Sequence, residues 1–222
     1  MLVKLKDFKR AYYEDNFAQS PELTMLFPSV ENYSDDSYAL NVLADLIGRG
    51  KKSPLYKLLV EEKKLAPSFY VYDNSSEIAG DFRIVVRTYP NKNLTEVEKT
   101  ILEGFAKFEK DGFTEKDLER TKAGIETQFY NSISSVLGKS YQLAGYNVFK
   151  GTPGYLNTDL NKILSVTSED VWKVYNKYVK DQKYVLLSLV PKGKQELAAE
   201  NSELFVIPDD NIKTFTEEEQ EA

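Results

Sequence analysis

The sequence predicts an α+β fold, a mostly antiparallel sheet with helices packed on one of its faces. Three observations carry this prediction. Runs with the two-residue alternation of strands come in separated groups, not in a regular strand–helix–strand series. The helical runs between them place apolar residues at 3.6-residue spacing and begin at recognisable caps. With 222 residues, 41% of them hydrophobic and 13% aromatic, the chain is long enough for one large domain with a substantial core. Strands and helices segregated in this way pack as layers of the α+β type.

Residues 5–13 (LKDFKRAYY) and 22–28 (ELTMLFP) read as the first two strands. The connection DNFAQSP has the Asn, Ser and Pro chemistry of a turn, which suggests a hairpin. Leu23, Met25 and Phe27 alternate with Thr24 and Leu26, nearly apolar on both sides, as in a central strand covered by helices. Ser34 then caps a helix with Asp35 and Asp36 in its first turn. Its apolar positions are Ala39, Val42, Leu43, Leu46 and Ile47, and Gly48 or Gly50 stops it. A polar turn, Gly48–Lys52, feeds Ser53–Asp73 (SPLYKLLVEEKKLAPSFYVYD). This stretch begins as a short amphipathic helix, with Leu55, Leu58, Leu59 and Leu65 on one face. It continues as a strand with Phe69 and Val71 on one side and Tyr70 and Tyr72 on the other. A turn around Asn74–Ser76 and Gly80 leads to an antiparallel partner, where Phe82, Ile84 and Val86 alternate with Arg83, Val85 and Arg87.

A helical block follows. Thr95-Glu96-Val97-Glu98 has the form of a capping box, and Val97, Ile101, Phe105 and Phe108 line one face before Gly112. The pattern restarts at Thr114–Asp117, with Leu118, Ile125, Phe129 and Ile133 expected inside. Residues 140–149 read as a shorter helix ending at Gly151, and 154–164 as a linking helix or turn. Thr167–Asp170 caps a last helix through Val171, Val174, Tyr175 and Tyr178. A strand over 184–190 closes the domain, ended by Pro191 and Gly193. The domain is therefore expected over 1–193, with 194–222 as an acidic linker or tail, because periodicity fades and the end (TFTEEEQEA) is poor in hydrophobics.

Composition excludes several chemistries. The formal charge is −6, and the 29 Lys and Arg residues are interleaved with 35 acids. No basic stripe exists to release counterions, so no nucleic-acid surface is expected. There is no His and no Cys. Ser-His-Asp, Cys-His, thiolate and His- or Cys-based zinc chemistry are thereby absent from the chain. Missing cysteines fit bacterial periplasm and cytoplasm alike. No run of 18 apolar residues offers a membrane span, and the first 15 residues lack the apolar core of a signal peptide.

Other motifs are decoys. Gly138-Lys139-Ser140 ends like a P-loop, but Ile133 stands where the first glycine is required. Gly48 and Gly50 lack the third glycine of a dinucleotide fingerprint, since Ser53 occupies it. Glu61 and Glu62 are neighbours on a helix, diverge by about 100°, and share no site.

Four segments carry a family likeness: SYALNVLADLI (37–47), SPLYKLLVEEKKLAPS (53–68), GFTEKDLERTKAGIETQF (112–129) and VTSEDVWKVYNKYV (166–179). In wording and order they resemble the second, non-zinc domain of the pitrilysin/insulinase-type zinc metallopeptidases, which include the mitochondrial processing peptidases. The resemblance covers most of the chain. It implies a fragment from the N-terminal half of a larger bacterial peptidase. The chain would be a non-catalytic domain forming part of a substrate chamber for peptides and inactive alone. Zinc would sit on an inverted H-x-x-E-H motif in a partner domain. The partners so implied are that zinc-bearing domain and a second half, in the same polypeptide or a paired subunit. The family's carboxy-terminal half carries a substrate-contacting Arg and Tyr; here the matching positions are Val60 and Pro67, which favours placement beside the catalytic domain. No catalytic or metal residue is expected here. Phe69, Tyr70 and Tyr72 are the candidates for facing the chamber, by stacking or edge pairing. The alternative is a standalone scaffold or assembly subunit that kept the fold without peptidase activity, as core subunits of respiratory complexes do.

Overall fold

A computed structural model describes residues 4–206. The sheet is built outward from β2 (Glu22–Ser29), whose Leu23, Met25 and Phe27 are buried on one side. β2 pairs antiparallel with β4 (Gly80–Arg87), placing Met25 opposite Ile84. On its other flank it pairs antiparallel with β5 (Val185–Pro191), placing Met25 opposite Leu186. β3 (Ser68–Ser75) adds antiparallel to β4 as an edge strand. β1 (Lys9–Asp15) runs parallel to β5, and the two-residue β6 (Glu203–Leu204) runs parallel to β1. The order is β3-β4-β2-β5-β1-β6, a mixed sheet in which most neighbours are antiparallel, as expected.

The hairpin expected between the first two strands does not form, because β5 lies between β1 and β2. Every residue of Val185–Val190 except Ser188 is apolar, so this strand gains more from two paired flanks than an edge offers. Asp15 turns the chain away instead, its carboxylate accepting from the N–H groups of Phe17 at 2.6 Å and Ala18 at 3.1 Å.

The helices cover one face of the sheet. α1 (Asp35–Gly48) starts at Ser34, whose hydroxyl accepts from Ser37 N–H, and buries Tyr38, Leu40, Val42, Leu43 and Ile47. Gly48 is required there, since a Cβ would stand 2.5 Å from Cγ2 of Val71 on β3. α2 (Pro54–Tyr56) runs into a π-helical turn, Lys57–Glu62. α3 (Leu94–Asp111) begins two residues earlier than a cap at Thr95 would start it. Asn93 is the cap, accepting from Thr95 N–H at 2.8 Å, while the Thr95 hydroxyl accepts from Glu200 N–H and Glu98 turns to Arg10. Tertiary partners thus claimed both side chains of the local motif. α4 (Glu115–Ser132) and α7 (Ser168–Tyr178) open on true capping boxes, Thr114/Asp117 and Thr167/Asp170. Between them lie α5 (Val136–Lys150), longer at its start than the sequence suggests because Ser135 caps it, a 3-10 turn Pro153–Tyr155, and α6 (Leu156–Ser165). The core interleaves Leu23, Phe82 and Leu186 from the sheet with Leu43, Leu59, Ile101 and Val174 from the helices.

Packing continues beyond residue 193. A 3-10 turn, Gln195–Leu197, and buried Ala199 lead to β6, which extends the sheet. Short apolar contacts and the Ser188 hydroxyl, which accepts from Ala199 N–H at 3.1 Å, hold this segment. Neither gives a periodic signal in sequence. The rest of the expected tail, 207–222, lies outside the described residues.

Candidate functional site

Strand alternation puts a second set of side chains on the face that no described helix covers. One row across it reads Tyr70, Val85, Thr24, Leu187 and Ala11; the next reads Tyr72, Arg83, Leu26 and Val185. Leu26, Val85, Val185 and Leu187 are only half-buried, although they occupy the middle of the sheet. Toward the β3 edge, exposure rises to 37% at Tyr72 and 66% at Tyr70. An apolar band flanked by charge results. Arg83 Nε and Nη2 donate to Asp81 at 2.8 and 3.0 Å, and its guanidinium lies 5.7 Å from the Tyr72 ring centre. Hydrogen bonding to Asp81 holds the guanidinium pKa above its ordinary value, so this cation is fixed. Arg87 pairs with Glu22 at 3.0 Å on the same face.

Of the three residues singled out in the sequence, the structure brings two together. Tyr70 and Tyr72 share the uncovered face. Phe69 points the other way, packed against the core near Gly48, because alternation sends it with Val71 under α1. The remaining residues of the band, Leu26, Val85, Val185, Leu187 and Leu189, escaped the sequence reading. Their signal is the two-sided apolar character of strands 22–28 and 185–190; in the first the sequence predicts helices overhead, and the structure leaves that second side without a described helix.

The turn after α1 supplies no acid or base. Val60 is half-buried against the core and Pro67 is exposed, while Glu61 and Glu62 point to water. A cleft of about 510 Å³ opens between this turn and the ends of α3 and α4. Three of its cations are paired inside it: Arg49 with Asp45 at 3.0 Å, Lys107 with Asp111 at 2.9 Å and Arg120 with Asp117 at 2.8 Å. Gly138-Lys139-Ser140 lies in the first turns of α5 and follows a helix, not a strand, so it cradles no phosphate. Among the described residues no group of three His, Cys, Asp or Glu side chains is placed to hold a metal ion.

The buried titratable groups are pins between elements. Glu98 on α3 accepts both Arg10 Nη1 and Nη2 at 2.7 Å and Tyr184 Oη at 2.6 Å, tying the helix to β1 and to the residue preceding β5. Burial alone would raise its pKa, but Arg10 and Tyr184 together hold it below the ordinary value. Asp159 on α6 accepts Tyr38 Oη and Tyr146 Oη, each at 2.6 Å, joining α1, α5 and α6. Burial, then the bond to Asp159, pushes both phenols up. Burial also pushes the Asp73 carboxyl up to about 6, against the hydroxyls of Ser75 and Ser29 that favour its charge.

Comparison with known proteins adds lineage to this geometry. A family model described as the peptidase M16 inactive domain matches residues 4–125. The uncharacterized zinc protease YmxG of Bacillus subtilis is 27% identical over 79% of the chain. The zinc protease PqqE of Helicobacter pylori is 26% identical over 70%. The chain spans 42% and 35% of those two proteins. The crystal structure of a peptidase M16 inactive domain from Pseudomonas fluorescens superposes with a TM-score of 0.70 at 19% identity, over 89% of this chain and 45% of that one. At that identity the likeness is one of fold.

Proposed function

The chain belongs to the peptidase M16 inactive-domain family, and from that premise we propose that it is the non-catalytic wall of a zinc metallopeptidase's substrate chamber. The observation that carries the reading is the uncovered sheet face. An apolar band bearing Tyr70 and Tyr72 at an edge strand gives a neighbouring domain a surface to pack on, and gives an extended peptide aromatic rings and an edge to lie along. Arg87 with Glu22 borders it, and Arg83, paired with Asp81, stands within it between Tyr72 and Leu26; such paired charge fixes orientation more than it adds affinity. The chain's own residues hold and orient a peptide; they neither bind zinc nor move its proton. Zinc belongs to the H-x-x-E-H motif of the partner domain, where it would activate water.

A quenched peptide substrate with added zinc tests this. The chain is assayed alone and then mixed with the protein encoded immediately upstream. Cleavage in the mixture only is the expected result, and Tyr70→Ala with Tyr72→Ala should raise KM in that mixture more than it lowers kcat. Zinc-dependent cleavage by the chain alone would overturn the proposal. Silence in both would favour the scaffold alternative.

A further inference from the structure

Among the described residues α5 is held on one side and uncovered on the other. Tyr146 is fully buried and hydrogen-bonded to Asp159, and Tyr33 packs on Tyr146 and Phe149. Diametrically opposite Tyr146, at about 100° per residue, stand Leu137, Tyr141, Ala144 and Val148, within an arc of roughly 60°. Leu137 is 66% exposed and Tyr141 and Val148 are each 73% exposed. Their 4-3-4 spacing is that of a helix-pairing seam, and Val136 and Phe149, also exposed, stand to either side of it. The seam is flanked by Gly138, Ser140, Gly145 and Asn147, none of them charged. Nothing lies within 4 Å of where a Gly145 Cβ would be, so the flank of the seam beside Tyr141 is open to a close approach. Both lysines of α5 lie toward its held side, with Lys150 over the Tyr33 and Tyr155 rings.

We propose that this seam pairs with the same seam of a second copy of the chain, α5 against α5 in antiparallel, two-fold array. The seam is symmetric about the point between Gln142 and Leu143. A two-fold axis there sets Leu137 against Val148 of the other copy and Tyr141 against Ala144, a large side chain over a small one at each centre. Gly145 widens the hole that Tyr141 enters. Charge permits the same occupant at this element. The chain carries −6 overall, so copies meet with least repulsion through an element that has no acid. That net charge disfavours an anionic lipid surface, which recruits proteins through clustered cations. The exposed seam is roughly half of the ~800 Å² per partner that a standard interface buries, so the dimer belongs to the weak, transient class. The pairing does not rest on the chamber reading, since none of its residues belongs to the uncovered sheet face.

Sedimentation of the full chain from about 5 to 500 µM, a range suited to weak association, tests it. Dimer should accumulate across the range, and Tyr141→Glu should weaken association at least tenfold, with unchanged far-UV circular dichroism because Tyr141 is exposed. The absence of native cysteine permits a register test. On oxidation, a mixture of Leu137→Cys and Val148→Cys chains should cross-link, and neither should cross-link alone. A chain that stays monomeric throughout, a dimer indifferent to Tyr141→Glu, or self-cross-linking of Leu137→Cys would overturn the proposal. So would a monomer that binds phosphatidylglycerol vesicles through α5.

Discussion

Replacing Glu98 by leucine removes the acceptor from two buried donors at once. Arg10 loses a bidentate partner at 2.7 Å and Tyr184 loses an acceptor at 2.6 Å. Breaking a buried pair from one side costs about 3–5 kcal/mol. The lower end applies, because the Arg10 side chain stays 19% exposed and keeps the Glu200 carbonyl at 2.9 Å, so Glu98→Leu should cost about 3 kcal/mol. Arg10→Met should cost a similar amount by leaving the carboxylate with Tyr184 alone. The double variant removes the ion pair whole, leaving the buried Tyr184 hydroxyl unpaired while water serves the exposed Glu200 carbonyl, a cost of up to about 3 kcal/mol. The coupling energy of the cycle is then about 3 kcal/mol. Urea unfolding followed through Trp172, the single tryptophan, packed on Phe108 and Phe113, reads all four proteins. The sign with pH is also fixed. The Glu98 pKa is lowered on folding, so its contribution is present above the ordinary value of 4.5 and fades as pH falls through the folded pKa. The gap between wild type and Glu98→Leu should therefore close in acid. Additive single variants, or a Glu98→Leu protein within 1 kcal/mol of wild type, would refute the reasoning.

Asp159→Asn keeps the shape, but one of the two oxygens that accept from Tyr38 and Tyr146 becomes an NH2 that can only donate, so one tyrosine must lose its acceptor; this should cost about 2 kcal/mol and speed amide exchange in α5 and α6 before the sheet, and uniform acceleration would contradict a local pin. Asp73 has the opposite linkage to Glu98. Its folded pKa, about 6, lies above the ordinary 3.8, so ionisation penalises the folded state as pH rises past that value. Asp73→Asn should gain on wild type by up to about 2–3 kcal/mol between pH 4 and pH 7. Parallel denaturation midpoints for the two proteins across that range would exclude a buried, reluctant carboxylate.

Most elements were legible because their causes are local. The helix starts at Ser34, Thr114 and Thr167 rest on a side chain three residues from its partner, and the alternation in Leu23–Phe27 and Phe82–Val86 needs only the pleat. The same logic failed at Thr95 and Glu98, where a motif that looks local is answered by Glu200 and Arg10, far away in sequence. It failed again at Phe69, grouped with Tyr70 and Tyr72 as aromatic although alternation alone parts them.

The sequence by itself determined the α+β class, the caps, the absence of any histidine or cysteine chemistry, and the four segments of family likeness. Tertiary structure decided that β5 separates β1 from β2, that the sheet continues to β6, and that the second apolar side of the central strands is left uncovered. It also turned an unremarkable helix, α5, into one pinned by a buried tyrosine and open along a symmetric seam. The division follows from range: caps and periods are settled within one turn or one pleat, whereas strand order and the covering of a face depend on which distant segments reach the same surface first.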